Sequence, residues 1–435
     1  MAIERFDGAR VAALGEPARV AEQLRAMVAG AGSVAAEVAA IIAAVRAGGE
    51  QAVSDYTRRF DTAGAEPLPI LVAPEELDQA ITELPLELVA GLQVAIANVA
   101  LLAEAGVGSD RTVELSQGQT LRLREVPVGS AAVYVPGGRA PYPSTVVMGV
   151  VTARAAGVID VVVCAPPGGD GQIDPAILGT CRLCGVERVY RMGGAQAIAA
   201  LALGTETVTP VDVIVGPGNL YVQEAKHQLS ALVGIDGFAG PSDLMVVLGS
   251  QAGARELRLA ALDMLAQGEH GAGSLVVGVS PSAEVCERLA GELEALIAER
   301  PTVGEAAFVV LEAASPRAAI ALANAFAAEH LQLIGAEVEA LAPMVQAAGC
   351  LFVGAESATA FGDYVVGSNH ILPTGGAARF GSGLTPRHFR RRMTEVRVGP
   401  AAAKLAAAGA PIARAEGFEV HAESMEARVV ENEPQ

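Results

Sequence analysis

Residues 211–226, VDVIVGPGNLYVQEAK, place a short apolar run, a glycine turn and a helical segment one after another. The β-branched run 211–215 predicts a buried strand, and Gly216-Pro217-Gly218-Asn219 predicts a tight turn into a helix. Glycine lets the backbone approach a ligand closely, and the first turn of a helix offers unpaired N–H groups to an anion. This order of elements is typical of the ligand-binding edge of a parallel α/β sheet.

The same strand–turn–helix pattern occurs twice upstream of this stretch. Residues 131–135 run into Pro136-Gly137-Gly138, and residues 186–190 are followed by Met192-Gly193-Gly194-Ala195-Gln196. Three such turns in one block indicate a nucleotide site at the carboxyl ends of the strands. The chain has neither a Gly-x-Gly-x-x-Gly fingerprint nor a P-loop, so we expect the phosphates to be held in a non-standard way.

Apolar runs and helical segments alternate along most of the chain. Further runs are near-continuously apolar, as expected of parallel strands that helices cover on both faces; they are 158–165, 244–248, 275–279, 308–311 and 351–353. Helical segments are predicted between strands at 144–156, 195–203 and 315–328, the last with Ser315 as N-cap and Pro316 at the first helical position. The alternation predicts an α/β fold with helices on both sides of parallel sheets.

Both ends of the chain are predicted to be helical. Residues 1–125 carry helical patterning at 20–28, 34–45 and 85–105, and an Arg- and Ala-rich helical tail is predicted beyond about Gly383. A local basic cluster is interpreted as a solvated helix face or an intrachain ion-pair set; it consists of Arg387, Arg390, Arg391 and Arg392.

Length and charge limit the classes of partner. A chain of 435 residues predicts two or three domains, because single cores stop growing at about 250–300 residues. The formal net charge of −19 argues against a nucleic-acid partner, since phosphate binding relies on Lys and Arg to neutralise charge. The longest apolar stretches are broken by charge or glycine, and we expect no membrane span.

The N-terminus and the cysteines predict a cytoplasmic location. Residues 1–7 mix charges and lack the apolar core of a signal peptide. An odd number of cysteines in a large chain without such a signal fits a reducing compartment; they are Cys164, Cys181, Cys184, Cys286 and Cys350. The redox spacing Cys181-x-x-Cys184 stands alone and is interpreted as packing on a helix face.

Four of the six histidines lie near acids or amides in the second half of the chain. Gln267 and His270 are three apart on a predicted helical turn, so they share a face and can converge on one ion. Asp363 and His421 would complete a set of two imidazoles and two oxygens, which suits zinc or a neighbouring first-row metal. The alternative is that each histidine caps a helix end, where imidazolium complements the dipole.

Glu329 and His330 stand together where the predicted helix 315–328 ends. Imidazole has an ordinary pKa near 6.5 and can take an alcohol proton at neutral pH. Adjacent helical residues point about 100° apart, so the two side chains could activate two different protons. The alternative is a helix C-terminus with ordinary polar residues.

A series of short strings in a fixed order resembles the histidinol dehydrogenase family. The strings are 193–201 (GGAQAIAAL), 215–219 (VGPGN), 224–226 (EAK), 239–243 (AGPSD), 266–271 (AQGEHG), 329–331 (EHL), 362–364 (GDY) and 367–374 (GSNHILPT). The resemblance extends over roughly residues 25–425, and the ordered combination is far more specific than any single string.

The resemblance implies an activity and a fold. The family oxidises L-histidinol to L-histidine in two hydride transfers to two NAD, through histidinal, as the last step of histidine biosynthesis. It implies two incomplete Rossmann-like domains, akin to aldehyde dehydrogenases, with small helical N- and C-terminal arms. The domains expected here are an arm (1–30), a metal-carrying catalytic domain (31–133 and 244–382), an NAD domain (134–243) and a tail (383–435) exchanged within a homodimer.

The resemblance also assigns residues. Zinc would be held by Gln267, His270, Asp363 and His421, and all four, with His330, would also face the substrate. His330 would be the base for both oxidations, and Glu329 would activate the water that hydrates the aldehyde. The remaining assignments are Tyr134, Gln196 and Asn219 for NAD, and Ser242, His370 and Glu416 for the substrate, with Glu416 and His421 expected to enter the partner's site.

Other functions stay open at this point. Ala266 stands where the family usually has Ser, and Ala328 where it usually has Pro, which leaves room for a family member that oxidises another primary alcohol. A zinc hydrolase with Glu329 activating a metal-bound water would work without NAD, but it leaves Tyr134, Gln196 and Asn219 unexplained. A non-catalytic, metal-dependent regulator is the third alternative.

Overall fold

The structure, a computed structural model, describes residues 3–28, 32–137, 140–237, 240–271, 273–303 and 305–429. The predicted turn residue Gly138 and the first residue of the 239–243 string, Ala239, lie outside the described residues. The chain forms two compact units, Met1–Gly106 with Gly129–Phe389, and Val107–Val128 with Arg390–Gln435. The domain boundaries predicted from the sequence stay predictions.

The first unit contains two wholly parallel sheets. A six-stranded sheet has the order β1-β11-β10-β9-β12-β13 and a five-stranded sheet the order β6-β5-β4-β7-β8. Their strands are β1 Glu4–Phe6, β4 Ser130–Tyr134, β5 Asp160–Ala165, β6 Val189–Arg191, β7 Val213–Val215, β8 Gly234–Ile235, β9 Asp243–Leu248, β10 Leu275–Ser280, β11 Ala307–Glu312, β12 His330–Ile334 and β13 Cys350–Val353.

The second unit contains a small antiparallel sheet. Its order is β14-β3-β2, with β2 Arg111–Glu114, β3 Thr120–Pro127 and β14 Arg390–Arg397. A helical hairpin follows β14, made of α15 Ala402–Ala415 and α16 Glu419–Glu426.

Fourteen further helices are described in the first unit. They are α1 Gly8–Leu14, α2 Pro17–Ala26, α3 Ala35–Phe60, α4 Pro74–Glu83, α5 Leu86–Ala105, α6 Pro143–Ala155, α7 Pro175–Leu183, α8 Gly194–Leu203, α9 Leu220–Leu229, α10 Ala254–Gly268, α11 Ala283–Ala298, α12 Pro316–Phe326, α13 Ala336–Glu339 and α14 Thr359–Tyr364.

Alternate residues of the six-stranded sheet enter two separate cores. Leu244 and Val246 of β9 pack with α10 and α11, whereas Met245 and Val247 pack with α2 and α12. Side chains of a strand point alternately to its two faces, so both faces are covered by helices. This confirms the α/β fold and explains why the strand sequences are near-continuously apolar.

Helix α12 begins as predicted but ends early. The Ser315 hydroxyl accepts a hydrogen bond from Ala318 N at 3.1 Å, which confirms the N-cap. The helix ends at Phe326 because Ala327 takes the left-handed conformation, with φ 51°. Glu329 and His330 therefore do not close a helix, as the sequence had predicted; His330 opens strand β12, which the pattern missed.

The prediction of a helical tail was wrong at its start, and the helical prediction for residues 1–125 missed two strands. Strands β2 and β3 lie within the predominantly helical region predicted for residues 1–125, and β14 replaces the start of the helical tail. Arg390, Arg391 and Arg392 are strand residues rather than a helix face. The ion-pair interpretation is confirmed for Arg392, which contacts the carboxylate of Glu125.

Helix α5 is the one described helix that is long and apolar enough to cross a membrane, by length and composition alone. It has 20 residues, and its most apolar 18-residue stretch has a mean hydropathy of 1.9 and is 22% buried. The expectation that no stretch reads as a span missed this helix. One such helix is weak evidence, because core helices of globular proteins pass the same test.

Candidate active site

The predicted catalytic pair lies at the amino edge of the six-stranded sheet. Strand β9 begins at Asp243 and the adjacent strand β12 begins at His330, with His330 in register with Leu244. Neighbouring parallel strands begin at the same edge of a sheet, so Ser242 and Glu329, each one residue ahead of its strand, meet there. The polar side chains of this edge are placed by strand register rather than by a glycine turn.

The turn before β12 fixes Glu329 and His330. The left-handed Ala327 reverses the chain immediately after α12, and its N–H still donates to Ala323 O at 2.8 Å. Gly349 packs so closely on the Glu329 backbone that a Cβ there would lie 2.5 Å from the Glu329 carbonyl oxygen. Both side chains are nearly inaccessible, 7% exposed at Glu329 and 2% at His330.

Two groups at the start of the neighbouring strand hold the Glu329 carboxylate, and a third hydrogen bond holds its backbone. The Ser242 hydroxyl and Asp243 N, the latter at 3.1 Å, donate to Glu329 Oε2, while Glu329 N donates to Asp243 Oδ1 at 2.7 Å. Burial raises the pKa of Glu329 to about 7, with His330 opposing the rise and Asp243 adding to it. A carboxyl group that ionises near neutral pH is suited to exchange a proton with water or substrate.

His330 lies between two carboxylates. Its Nε2 is 3.3 Å from Asp363 Oδ1, and its Nδ1 is 3.9 Å from Glu329 Oε2. Burial alone would lower the pKa of His330, but Asp363 and Glu329 offset this and raise the pKa above its ordinary value. Nδ1 is buried and has no hydrogen-bond partner among the described residues, which leaves it available to a reacting proton.

His370 joins the catalytic edge to helix α6. Its Nδ1 lies 2.8 Å from the Asp363 carbonyl oxygen, and its Nε2 lies 3.2 Å from Thr145 Oγ1. A carbonyl only accepts, so Nδ1 carries the proton and Nε2 accepts from the threonine hydroxyl. The neighbouring Asn369 donates to Met148 O at 3.0 Å and to Thr152 Oγ1 at 3.1 Å, so this loop is fixed on α6.

Three of the four predicted metal ligands lie around Glu329 and His330. Gln267, in the last turn of α10, donates to Ser242 Oγ at 2.5 Å, and Asp363 faces His330. His270 follows α10 with part of its ring open to solvent; desolvation of the remainder lowers the pKa of His270, while Asp363 opposes this. The amide oxygen, neutral imidazole and carboxylate are donors that zinc accepts.

The structure does not bring a complete ligand set together. In the part of the chain that the structure describes, no group of three or more His, Cys, Asp or Glu side chains is arranged to hold a metal ion. His421 lies on α16 and Glu416 caps the end of α15, both exposed and both in the second unit.

Two of the predicted glycine turns, at Gly194 and Gly216, lie against Tyr134 at the carboxyl edge of the five-stranded sheet. The phenol oxygen of Tyr134, the last residue of β4, accepts from Gly194 N at 3.1 Å. Gly216, with φ +119°, packs against the Tyr134 carbonyl so closely that a Cβ would lie 2.1 Å from that oxygen. Only glycine fits here. Any other residue would be strained at this positive φ, and its Cβ would clash with the neighbouring backbone.

The other two predicted cofactor residues lie on the helices that leave these turns. Gln196 is 2% exposed in the first turn of α8. Asn219 caps α9, where its side-chain oxygen accepts from Tyr221 N at 3.1 Å and Val222 N at 3.2 Å. Tyr134 is also buried, and desolvation raises the pKa of its phenol, so the phenol stays protonated.

An ion pair between the fully buried Lys226 and the partly buried Asp236 supports the Gly216 turn, and no role was predicted for this pair from the sequence. Lys226 Nζ lies 2.7 Å from Asp236 Oδ1 and 2.5 Å from the Gly216 carbonyl oxygen, while Asp236 Oδ2 accepts from Gly216 N at 2.7 Å. Lysine is almost never fully buried unless it is paired. The available signal was Lys226 itself, a charge next to the buried positions 222, 225 and 229 of α9.

Known proteins of one family are similar to this chain over nearly its whole length. A family model described as histidinol dehydrogenase matches residues 25–429. The histidinol dehydrogenase of Gluconobacter oxydans is 39% identical over 409 residues, spanning 92% of this chain and 94% of the relative. That of Parasynechococcus marenigrum is 40% identical over 403 residues, spanning 91% of each. The crystal structure of histidinol dehydrogenase from Elizabethkingia anophelis superposes with a TM-score of 0.89 at 28% identity, covering 98% of both chains.

Proposed function

We propose, because the chain belongs to the histidinol dehydrogenase family, that it oxidises L-histidinol to L-histidine in two NAD-dependent steps through histidinal, the last step of histidine biosynthesis. The observation that carries the proposal is the pair of buried titratable groups, Glu329 and His330, whose pKa values are both raised, at one sheet edge.

His330 would take the alcohol proton. Its unpartnered Nδ1 accepts the hydroxyl proton while the carbinol carbon loses its hydride, which leaves the aldehyde. Asp363, 3.3 Å away at Nε2, stabilises the imidazolium that forms. NAD, when bound, supplies the hydride acceptor in both oxidations.

Glu329 would act between the two oxidations. Its ionised carboxylate takes one proton from a water molecule while the oxygen of that water adds to the aldehyde carbon. The His330 imidazolium returns the alcohol proton to the aldehyde oxygen, which gives the hydrate and leaves His330 neutral again. His330 then takes a hydroxyl proton from the hydrate while the same carbon loses its second hydride, which leaves the carboxylic acid.

Substrate would be held beside this pair by Ser242, His370 and Glu416. The Ser242 hydroxyl already contacts Glu329 and Gln267, and His370 is fixed by Asp363 O and Thr145. Gln267, His270, Asp363 and His421 would hold zinc. When bound, that ion would fix the neutral imidazole and amine of the substrate, so that the carbinol carbon is oriented for hydride transfer.

NAD would bind along the carboxyl edge of the five-stranded sheet, at Tyr134, Gln196 and Asn219. Support comes from the convergence of the Gly194 and Gly216 turns on Tyr134. Backbone N–H groups at the starts of α8 and α9 are suited to the anionic pyrophosphate.

The enzyme would be a homodimer whose tails are exchanged, so that Glu416 and His421 act in the partner's site. The α15–α16 hairpin leaves Ile412 61%, Phe418 53% and Val420 73% exposed beside those two residues, which is apolar surface for a second chain to cover. A cytoplasmic location is supported by five free cysteines.

Reaction stoichiometry tests the proposal directly. Purified, zinc-loaded enzyme should form two NADH for each histidinol consumed, with histidine as the product. One NADH per histidinol would contradict the four-electron reaction, and no turnover with histidinol would assign the chain to another alcohol. Metal analysis of the same sample should give one zinc per site.

Mixed dimers test the tail exchange. His421→Ala and His330→Asn subunits should each be inactive alone, because each lacks a required group. If tails exchange, unfolding and refolding the two together should restore sites that have both residues intact. Activity that stays absent in purified mixed dimers would show that each tail serves its own chain.

A further inference from the structure

We infer that Arg25, in helix α2 near the N-terminus, is a positioning residue of the catalytic centre: acting through Asp243, it holds the Glu329 carboxylate in place. The inference rests on the role proposed for Glu329 and adds to it a residue far away in sequence.

Asp243 and Glu329 are interlocked through their backbones. Each residue's N–H donates to the other's carboxylate, at 2.7 Å from Glu329 N to Asp243 Oδ1 and 3.1 Å from Asp243 N to Glu329 Oε2. Asp243 is 1% exposed. A shift of the Asp243 carboxylate therefore moves the Glu329 backbone, and with it the side chain that would activate water.

Arg25 fixes the other oxygen of Asp243. Its Nη1 lies 3.1 Å from Asp243 Oδ2, which also accepts from Gly375 N at 3.3 Å. Its Nη2 donates to the carbonyl of Phe326, the last residue of α12, and its guanidinium lies 4.2 Å above the Phe326 ring. Arg25 thus contacts the turn that carries Glu329 in two ways. It binds Phe326, which precedes the turn, and it binds Asp243, which accepts from Glu329 N.

Packing sets the direction of Arg25. Val20, Ala21 and Leu24 on the buried face of α2 enter the same core as Phe326, which brings the next residue, Arg25, over the end of α12. This contact follows from tertiary packing, and no local sequence pattern near residue 25 predicts it.

Charge gives Arg25 its importance. Asp243 and Glu329 are two buried carboxyl groups in contact, and two like charges at one site cannot both ionise readily. Burial raises the pKa of Asp243, and the Arg25 guanidinium, 3.1 Å from Asp243 Oδ2, opposes that rise. Arg25 therefore favours the charged form of Asp243, which is the form that accepts from Glu329 N. Without the guanidinium, Asp243 would be a buried carboxylate lacking its cation, which is strongly unfavourable.

The experiment compares Arg25→Met, Arg25→Lys and Arg19→Met in the full-length, zinc-loaded enzyme. Arg19 is an exposed arginine of the same helix and serves as the matched control. Single-turnover NADH formation from histidinol reports the first oxidation, and histidinal supplied as the substrate isolates the second. Thermal unfolding is measured for each variant, and KM for NAD is recorded.

Arg25→Met should slow histidinal oxidation about tenfold more than histidinol oxidation, the effect of losing one charge-assisted contact that acts through Asp243. KM for NAD should not change, and Arg25→Lys should recover most of the lost rate. Arg19→Met should match the parent enzyme. If Arg25→Met does not fold, Arg25→Lys decides, because it keeps the charge and loses the planar contact to Phe326, and it should show a smaller selective loss.

Equal losses in both oxidations, or a selective loss in Arg19→Met, would overturn the inference, since a general weakening of the fold moves both steps together. Glu329→Gln separates this failure from failure of the proposed function. If Glu329→Gln selectively slows the aldehyde step and the Arg25 variants do not, only the role of Arg25 is wrong. If Glu329→Gln slows both steps equally, the water-activating role itself is wrong.

Discussion

The two parallel sheets carry their polar groups at opposite edges, and the backbone explains the difference. At the amino edge of the six-stranded sheet the strands begin with unpaired N–H groups, and these hold carboxylates, as Asp243 N and Glu329 N do. At the carboxyl edge of the five-stranded sheet carbonyl groups are left over, and the Gly216 carbonyl holds the Lys226 ammonium. The carboxyl edge binds a carboxylate as well, because the Gly216 turn presents its N–H to Asp236 Oδ2. At that edge the turn, and not the strand end alone, decides which charges the backbone can bind.

The edges also differ in how a ligand would approach. Glycine turns at the carboxyl edge bring backbone N–H groups near an anion. The amino edge instead offers buried, titratable carboxyl and imidazole side chains. Under the proposed function the first edge binds the cofactor and the second performs the proton transfers. Variants that damage one edge should therefore spare the other.

The largest effect is expected at the amino edge. His330→Asn should lower the rate of histidinol oxidation by about 10²–10⁴, because the base that takes the alcohol proton is lost. NAD affinity, measured by fluorescence titration, should stay within about twofold of the parent. His227→Asn, on the exposed side of α9, is the control; a comparable loss there would contradict a specific role for His330.

Gly216→Ala should have the opposite effect: it should weaken NAD binding and leave histidinol binding unchanged. The added Cβ would lie 2.1 Å from the Tyr134 carbonyl oxygen at a φ of +119°, so the turn must move. A strained residue and a backbone clash together cost about 2–4 kcal/mol, or roughly 30- to 700-fold in NAD affinity.

Gly291→Ala is the matched control for this change. Gly291 lies inside α11 with no atom within 4 Å of the added Cβ, and alanine there should raise stability by about 0.5–1 kcal/mol. Histidinol binding by calorimetry should be unchanged in both variants. Loss of histidinol binding in Gly216→Ala would show that the edges are not independent.

The buried pair beneath Gly216 gives a smaller effect. The double variant Lys226→Gln with Asp236→Asn removes both charges while keeping polar groups of similar size, so the turn loosens without leaving a buried charge unpaired. We expect NAD affinity to fall about tenfold, the equivalent of one hydrogen bond, with histidinol binding retained. An unchanged NAD affinity would show that the Lys226–Asp236 pair does not support the cofactor site. Lys404→Gln, on an exposed helix face, is the control.

The pH dependence gives the smallest effect. Burial raises the pKa of Glu329 to about 7, and the group must be ionised to take a proton from water. The rate of histidinal oxidation should therefore rise with pH, by about threefold between pH 6.5 and 7.5, the change in the ionised fraction across that pKa. Residual activity of Glu329→Gln should lack this rise; if it shows the same rise, another group sets the profile.

The sequence was informative where local chemistry decides the structure. Continuous apolar runs predicted β5, β9 and β10, and Ser315 with Pro316 predicted the start of α12, because burial on both faces and N-capping leave a direct mark on residue type. The strand–turn–helix pattern likewise predicted that β4, β6 and β7 each run into a glycine turn, and the Gly194 and Gly216 turns lie against Tyr134.

Other features depend on contacts that local patterns do not encode. Helix α12 ends at Ala327 in a left-handed conformation that glycine or asparagine usually takes, so the sequence carried no stop signal before Glu329. Strand β14 is rich in arginine, and its sequence therefore resembles a charged tail. In a small exposed sheet, charged residues occupy positions that are apolar in a core strand. The contact of Arg25 with Asp243 arises only when α2 packs on α12.

The three hydrogen bonds that tie the Asn369–His370 loop to α6 have a kinetic consequence. A four-electron oxidation needs two cofactor molecules in succession, with a reactive aldehyde waiting between them. Under the proposed function, these bonds would keep the loop in place on α6 while one cofactor molecule leaves and the next one binds. The aldehyde would then stay in contact with the same residues between the two oxidations.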